Sequence, residues 1–176
     1  MSRKALLSLL GLLIPGLTIL YYYLGGFNQV DYAVKEVNGE YSIIGRKFEG
    51  KYNAHELEKI FTTVRKLIKN GQIRGTMVII NYNDSYDEYD GTVKYTVGIL
   101  VDNEGYAVPE GFEIINIKAS KVVRATINAH NVVMPAPAKI LKGAGRMAMQ
   151  HNLTLSNYSI EQYRDERQLV IDFPVR

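Results

Sequence analysis

The sequence predicts an α+β fold: duplicated strand-helix-strand-strand units forming an antiparallel sheet with two helices, preceded by one transmembrane helix. Three observations carry this reading. An order of short β-rich runs, one amphipathic helical stretch and further β-rich runs occurs twice, at roughly 31–101 and 111–176. Each helical stretch has one apolar stripe, and a single sheet covers two such stripes economically. Ahead of both copies, Ala5 to Leu24 is a twenty-residue run without a charge. A duplication of this kind brings a pseudo-two-fold axis, and a cleft is expected where the halves meet.

The first copy opens on two short runs, Tyr32 to Val37 and Tyr41 to Gly45, rich in β-branched and aromatic residues. Asn38-Gly39 between them reads as a tight turn, because both residues tolerate positive φ. Asn53-Ala54-His55-Glu56 reads as a capping box, with Asn53 as N-cap and a glutamate three residues on. Leu57, Ile60, Phe61, Val64, Leu67 and Ile68 then recur at helical spacing. Asn70-Gly71 suits a left-handed helix end. Gly75 to Tyr82 and Thr92 to Val101 are two further strands around a polar loop.

The second copy repeats that order. Phe112 to Ile117 and Val122 to Ile127 are its leading runs, and Pro135-Ala136-Pro137 is a helix entry. Ala138, Ile140, Leu141, Ala144, Met147 and Ala148 form the expected buried side of a helix ending near Asn152. Ser159 to Tyr163 and Gln168 to Phe173 follow; in the last run Leu169, Ile171 and Phe173 alternate with Val170 and Asp172, as a half-buried strand does. Asp102-Asn103-Glu104-Gly105 is the joint between copies.

The chain divides into an anchor, 1–26, and a domain, 27–176. At about 1.5 Å per residue, the run from Ala5 to Leu24 can cross a hydrocarbon core of roughly 30 Å. Tyr21-Tyr22-Tyr23 suits the interface, and Pro15-Gly16 is tolerable in lipid. A cleaved signal peptide with Ser2-Arg3-Lys4 as its basic start is the competing reading. No small-residue cleavage site follows the run, which favours a retained anchor. Arg3 and Lys4 precede it while Asp31, Lys35 and Glu36 nearly cancel after it. The domain is therefore expected outside the cytoplasm of a bacterial inner membrane.

Charge and motifs narrow the function. Apart from Arg3 and Lys4, the 21 basic residues nearly balance the 18 acidic ones. No cationic run of the kind that drives phosphate binding stands out, so nucleic acid is not an expected partner. Lys59, Arg65, Lys66 and Lys69 share the first helix with Glu56 and Glu58 and read as a solvated surface. His55, His130 and His151 are scattered and cysteine is absent, so neither a metal site nor a cofactor is expected. Gly143-Ala144-Gly145 reads as close helix packing. Asp84, Asp87, Glu88 and Asp90 lack calcium-loop spacing and read as a hydrated hairpin tip.

One carboxylate stands out. Glu161 lies inside a predicted strand, with Ser159 and Tyr163 on its own face. It is either an exposed strand glutamate or, at the junction of the copies, an acid lining a pocket and serving a cationic or polar ligand.

Several segments resemble the GyrI-like family, the small-molecule-binding domains of bacterial gyrase-inhibitory proteins and multidrug-sensing activators. They are Gly75 to Asp84, Tyr95 to Val101, Val108-Pro109-Glu110-Gly111-Phe112-Glu113, Ile117 to Lys121, Ile160-Glu161-Gln162-Tyr163 and Leu169 to Val175. The resemblance spans Val30 to Arg176. It implies a ligand cleft between the two helices, with Glu161 contacting cationic, aromatic drugs. Tyr163, Tyr82, Tyr95 and Phe112 are the candidate aromatic contacts, in a chain without tryptophan. Some members of the family hydrolyse strained compounds, which implies an alternative role for Glu161 as general base. The anchored layout is also similar to a eukaryotic membrane-tethered branch, which gives a second localisation, a cytosol-facing domain on an internal membrane. A scaffold that recruits a protein partner to the membrane is the third reading.

Overall fold

The structure is a computed structural model that describes residues 3–82, 91–102 and 105–176. Helix α1 is Arg3–Tyr23 and is followed by strand β1, Asp31–Lys51, and helix α2, His55–Lys69. Strands β2 (Thr76–Tyr82), β3 (Thr92–Leu100) and β4 (Glu113–Asn128) come next, then helix α3 (Pro137–Gln150) and strands β5 (Tyr158–Tyr163) and β6 (Gln168–Pro174). Two strand-helix-strand-strand units are therefore present, β1-α2-β2-β3 and β4-α3-β5-β6. All neighbouring strands are antiparallel, and the sheet closes into a barrel in the order β1-β3-β2-β5-β6-β4.

The leading runs of each copy are single strands, not pairs. Asn38-Gly39 does not reverse the chain. β1 pairs with β4 on both sides of it, and the register slips by one residue between Glu36 and Gly39. Gly39 takes φ +84° with open space where a Cβ would stand. The dipeptide thus makes a β-bulge, which bends a long strand around the barrel.

Three clusters organise the core. The first is α2 against the outer face of β1 and β3: Leu57, Ile60 and Val64 on Ile44, Phe48, Val93, Val97 and Ile99. The second is α3 against β4 and β6: Ile140, Ala144 and Ala148 on Val123, Ala125, Ile127, Leu169, Ile171 and Phe173. The third, with Tyr41, Ile43, Val78, Ile80, Val122 and Ile160, fills the barrel interior. The halves meet along two seams, β1–β4 and β2–β5.

Local expectations are met unevenly. Gly71, at φ +68°, ends α2 as predicted, with its N–H bonded to Ile68 O. The capping box does not form: the N-cap is Ala54, and Glu56 pairs instead with Arg46 at 2.8 Å. Pro137 opens α3, but Ala138 and Leu141 are exposed, because the buried stripe runs through Ile140, Gly143, Ala144 and Ala148. Gly143 is where the ring of Tyr32 meets the helix; the Tyr32 hydroxyl donates to Ile140 O at 3.2 Å. β6 is buried on both faces rather than one, since barrel closure covers the side that a flat sheet would leave wet. The acidic tip, 84–90, and Asn103-Glu104 lie outside the described residues.

The predicted anchor is helical, but among the described residues no helix is long and apolar enough to cross a membrane. Its described part is apolar and uncovered: Leu13, Ile14, Leu17, Ile19, Leu20 and Tyr21 to Tyr23 are all exposed. The helix end is tied to the barrel. His130 N–H donates to Leu24 O at 2.9 Å, Asn28 Nδ2 donates to Asn128 O, and the Arg167 guanidinium lies 4.8 Å from the centre of the Tyr23 ring.

Candidate functional site

β5 lies in the stretch of sheet between the two helix-covered patches. Side-chain alternation turns Ile160 and Gln162 into the barrel and Glu161 and Tyr163 outward. Glu161 stands opposite Ile79 of β2 and Ile171 of β6; Tyr163 stands opposite Met77 and Leu169. The acid is thus on the seam between the two units, flanked by an isoleucine on either side.

Those flanks explain its electrostatics. Burial pushes the Glu161 carboxyl above the usual carboxylate value, against two hydrogen bonds that favour the ionised form. One comes from the Tyr163 hydroxyl to Oε2 at 2.9 Å, the other from the side chain of Asn81. The Tyr163 phenol is raised in turn, chiefly by burial and then by the neighbouring carboxylate, while Arg65 pulls it the other way. Glu161 keeps partial exposure, and the nearby groove is lined by its neighbours rather than by the acid itself.

A groove of about 540 Å³ runs along α2 above this stretch of sheet. Leu57, Phe61 and Arg65 of α2 and Tyr52 before it form the wall; Met77, Ile79 and Tyr163 form the floor. The floor ends at the two residues that flank Glu161, its cross-strand neighbour and its hydrogen-bond donor. The expected cleft between the helices is therefore lined from the α2 side, and α3 supplies none of its lining.

Of the candidate contacts, the structure brings Glu161, Tyr163 and Tyr95 together. Tyr95 pairs with Asn81 across β3–β2 and lies close enough to Tyr163 to raise its phenol. Tyr82 is elsewhere. It shares the parity of Ile80, faces the barrel interior, and lies against Tyr158 at 6.3 Å between ring centres. Phe112 is also separate: it packs beside Ile60 on the other side of α2, in a smaller hollow with Arg46 and Lys59. Sequence reasoning missed Tyr52, Phe61 and Met77 as groove residues. Phe61 was assigned only to the core stripe, although its place at the stripe's edge is a signal that it can serve both.

A second polar cluster was not anticipated. Inside the barrel, fully buried Asp172 accepts from Arg124 Nε and Nη2 at 2.7 and 2.8 Å, from Tyr41 at 2.7 Å and from Gln162 Nε2 at 2.8 Å. These four residues come from β6, β4, β1 and β5, so the cluster fastens the closed ring.

No family model matches this chain, and no curated protein is significantly similar to it. Solved structures are. SAV2435 bound to tetraphenylphosphonium aligns at 13% identity over 83% of this chain and 94% of that one, with a TM-score of 0.50. EcmrR, solved in a complex with DNA, aligns at 14% over 99% of this chain and 69% of its own, TM-score 0.58. A hydrolase encoded by lin2189 from Listeria innocua aligns at 9% over 89% and 98%, TM-score 0.57. At such identities the shared property is the fold, and that fold is the duplicated α+β architecture described above.

Proposed function

We propose that this chain is a membrane-tethered binding domain for aromatic organic cations, held in the groove along α2 with Glu161 as counter-charge. One observation carries the reading: a carboxylate on the seam, raised by burial, beside a groove lined by Tyr52, Phe61, Met77 and Tyr163. Such an acid is stabilised when a cation arrives, and aromatic faces attract the same ligand through their quadrupoles. Met77 adds an adaptable contact. The GyrI-like segments and the fold shared with a tetraphenylphosphonium-bound protein support the same ligand class. The test is titration of tetraphenylphosphonium into the intact chain in mild detergent. Saturable binding that Glu161→Gln weakens at least tenfold is expected; binding that ignores this substitution overturns the role of Glu161.

A hydrolytic reading rests on the same acid, since a raised carboxyl suits a general base that activates water, and on the fold shared with the Listeria hydrolase. Binding is preferred because Tyr163 and Asn81 already occupy that carboxylate. Glu161-dependent turnover of a strained electrophile by the intact chain decides for hydrolysis.

For the tether, the uncharged run Ala5 to Leu24 supports retention in a bilayer, as does the uncovered apolar surface from Leu13 to Tyr23. The domain then stands outside a bacterial inner membrane. The chain has no cysteine, so an introduced one, Ile114→Cys, reports sidedness. Labelling by an impermeant maleimide in intact spheroplasts is expected; labelling only after lysis reverses the orientation, and release of the chain by alkaline carbonate removes the tether.

A further inference from the structure

The groove holds an opposite charge that a site for simple cations does not need. Arg65 lines it from α2, on the same wall as Phe61 and above the floor residue Tyr163. Its guanidinium acts electrostatically on the Tyr163 phenol, the group that donates to Glu161. A positive and a negative side chain therefore both act on one hydroxyl. Among the described residues Arg65 has no ion-pair partner. The other charged residue of the lining, Glu58, lies about two turns earlier, exposed and 3.4 Å from His55 Nδ1.

Toward a ligand with only positive charge, Arg65 is repulsive. Toward a ligand with an acid group as well, it is a donor at the groove rim, free to make charge-assisted hydrogen bonds to a carboxylate. We infer that the groove selects amphoteric aromatic ligands, with a cationic nitrogen near Glu161 and an acidic group at Arg65. This rests on the binding role proposed for the groove and names the substrate class for it. Size agrees: a space of about 540 Å³ is in the range of drug-sized pockets. The rest of the lining is largely aromatic and aliphatic, which suits a flat ring system.

The experiment compares two dyes with one xanthene cation. Rhodamine 6G carries an ethyl ester, and rhodamine 19 is the corresponding free acid, a zwitterion at neutral pH. Fluorescence anisotropy is read on the intact chain in mild detergent, with each dye in protein-free detergent as reference. The acid is expected to bind roughly three- to fivefold tighter than the ester, the range an exposed ion pair supports. Arg65→Gln should remove that advantage while the ester's affinity does not fall. Arg65→Lys should restore part of it, which a loss of folding does not. Equal affinities, or a preference for the acid that survives Arg65→Gln, overturn the inference and leave the cation site standing. If both dyes bind equally well with and without Glu161→Gln, the counter-charge role of Glu161 falls, and this inference with it.

Discussion

Replacing Asp172 by alanine tests the closed barrel harder than any apolar truncation. Asp172 is 0% exposed and accepts hydrogen bonds from Tyr41, Gln162 and two nitrogens of Arg124. Removing it leaves a buried hydroxyl and a buried amide unsatisfied, at about 1–3 kcal/mol each. The Arg124 side chain is 26% exposed, so its charge can turn partly to water, and its share falls below the roughly 3–5 kcal/mol typical of breaking a fully buried pair. A loss of about 4–6 kcal/mol follows, comparable with the whole stability of many domains. With a urea slope of about 2 kcal/mol per molar, the midpoint falls by about 2–3 M. The assay is urea unfolding of the intact chain in mild detergent, followed by far-ultraviolet circular dichroism. Asp172→Asn, which keeps the shape and one acceptor, should lose clearly less. A midpoint for Asp172→Ala within about 0.3 M of the parent would refute the reasoning.

Four other substitutions have definite outcomes. Burial holds Glu161 above its ordinary value of 4.5, so the fold prefers the neutral form; that stability is present below the ordinary value and is lost as pH rises through the raised one. Glu161→Gln should therefore raise Tm at pH 7, with the gain closing as pH falls toward 4.5. Cation affinity of the parent should rise with pH until Glu161 is ionised, and Tyr163→Phe should move that rise to higher pH, because the Tyr163 bond favours the carboxylate. Tyr82→Phe, on the opposite face of the sheet, should leave the pH profile in place; a shift equal to that of Tyr163→Phe contradicts the register of β2 and β5. Gly143→Ala drives a methyl into the Tyr32 ring and should destabilise by about 1–3 kcal/mol, measured by thermal unfolding.

The sequence made some of this legible and hid the rest for physical reasons. α2 was readable because Leu57, Ile60 and Val64 repeat at helical spacing, and spacing is local information. Glu161 stood out because an acid within an apolar strand must either meet water or find a partner, but spacing alone left both readings open. Asn38-Gly39 misled because the same dipeptide serves a hairpin and a bulge, and the choice lay with β4, some eighty residues away. Tyr82 was misplaced for a related reason. Only the pairing of Ile79 with Glu161 fixes which parity of β2 shares the acid's face. Asp172, alternating with Ile171 and Phe173, reads as the wet side of a strand until closure gathers Tyr41, Arg124 and Gln162 around it. Arg65 read as a solvated helix residue, and its place over the groove depends on how α2 is rotated on the sheet.

The most direct measurement for the central reading is a crystal structure of this chain with tetraphenylphosphonium. The account predicts the cation in the groove along α2, its charge within about 6 Å of the Tyr163 ring and beside the Glu161 carboxylate. Clear density for the cation at any other place, with the floor of Met77, Ile79 and Tyr163 closed against α2, would contradict it.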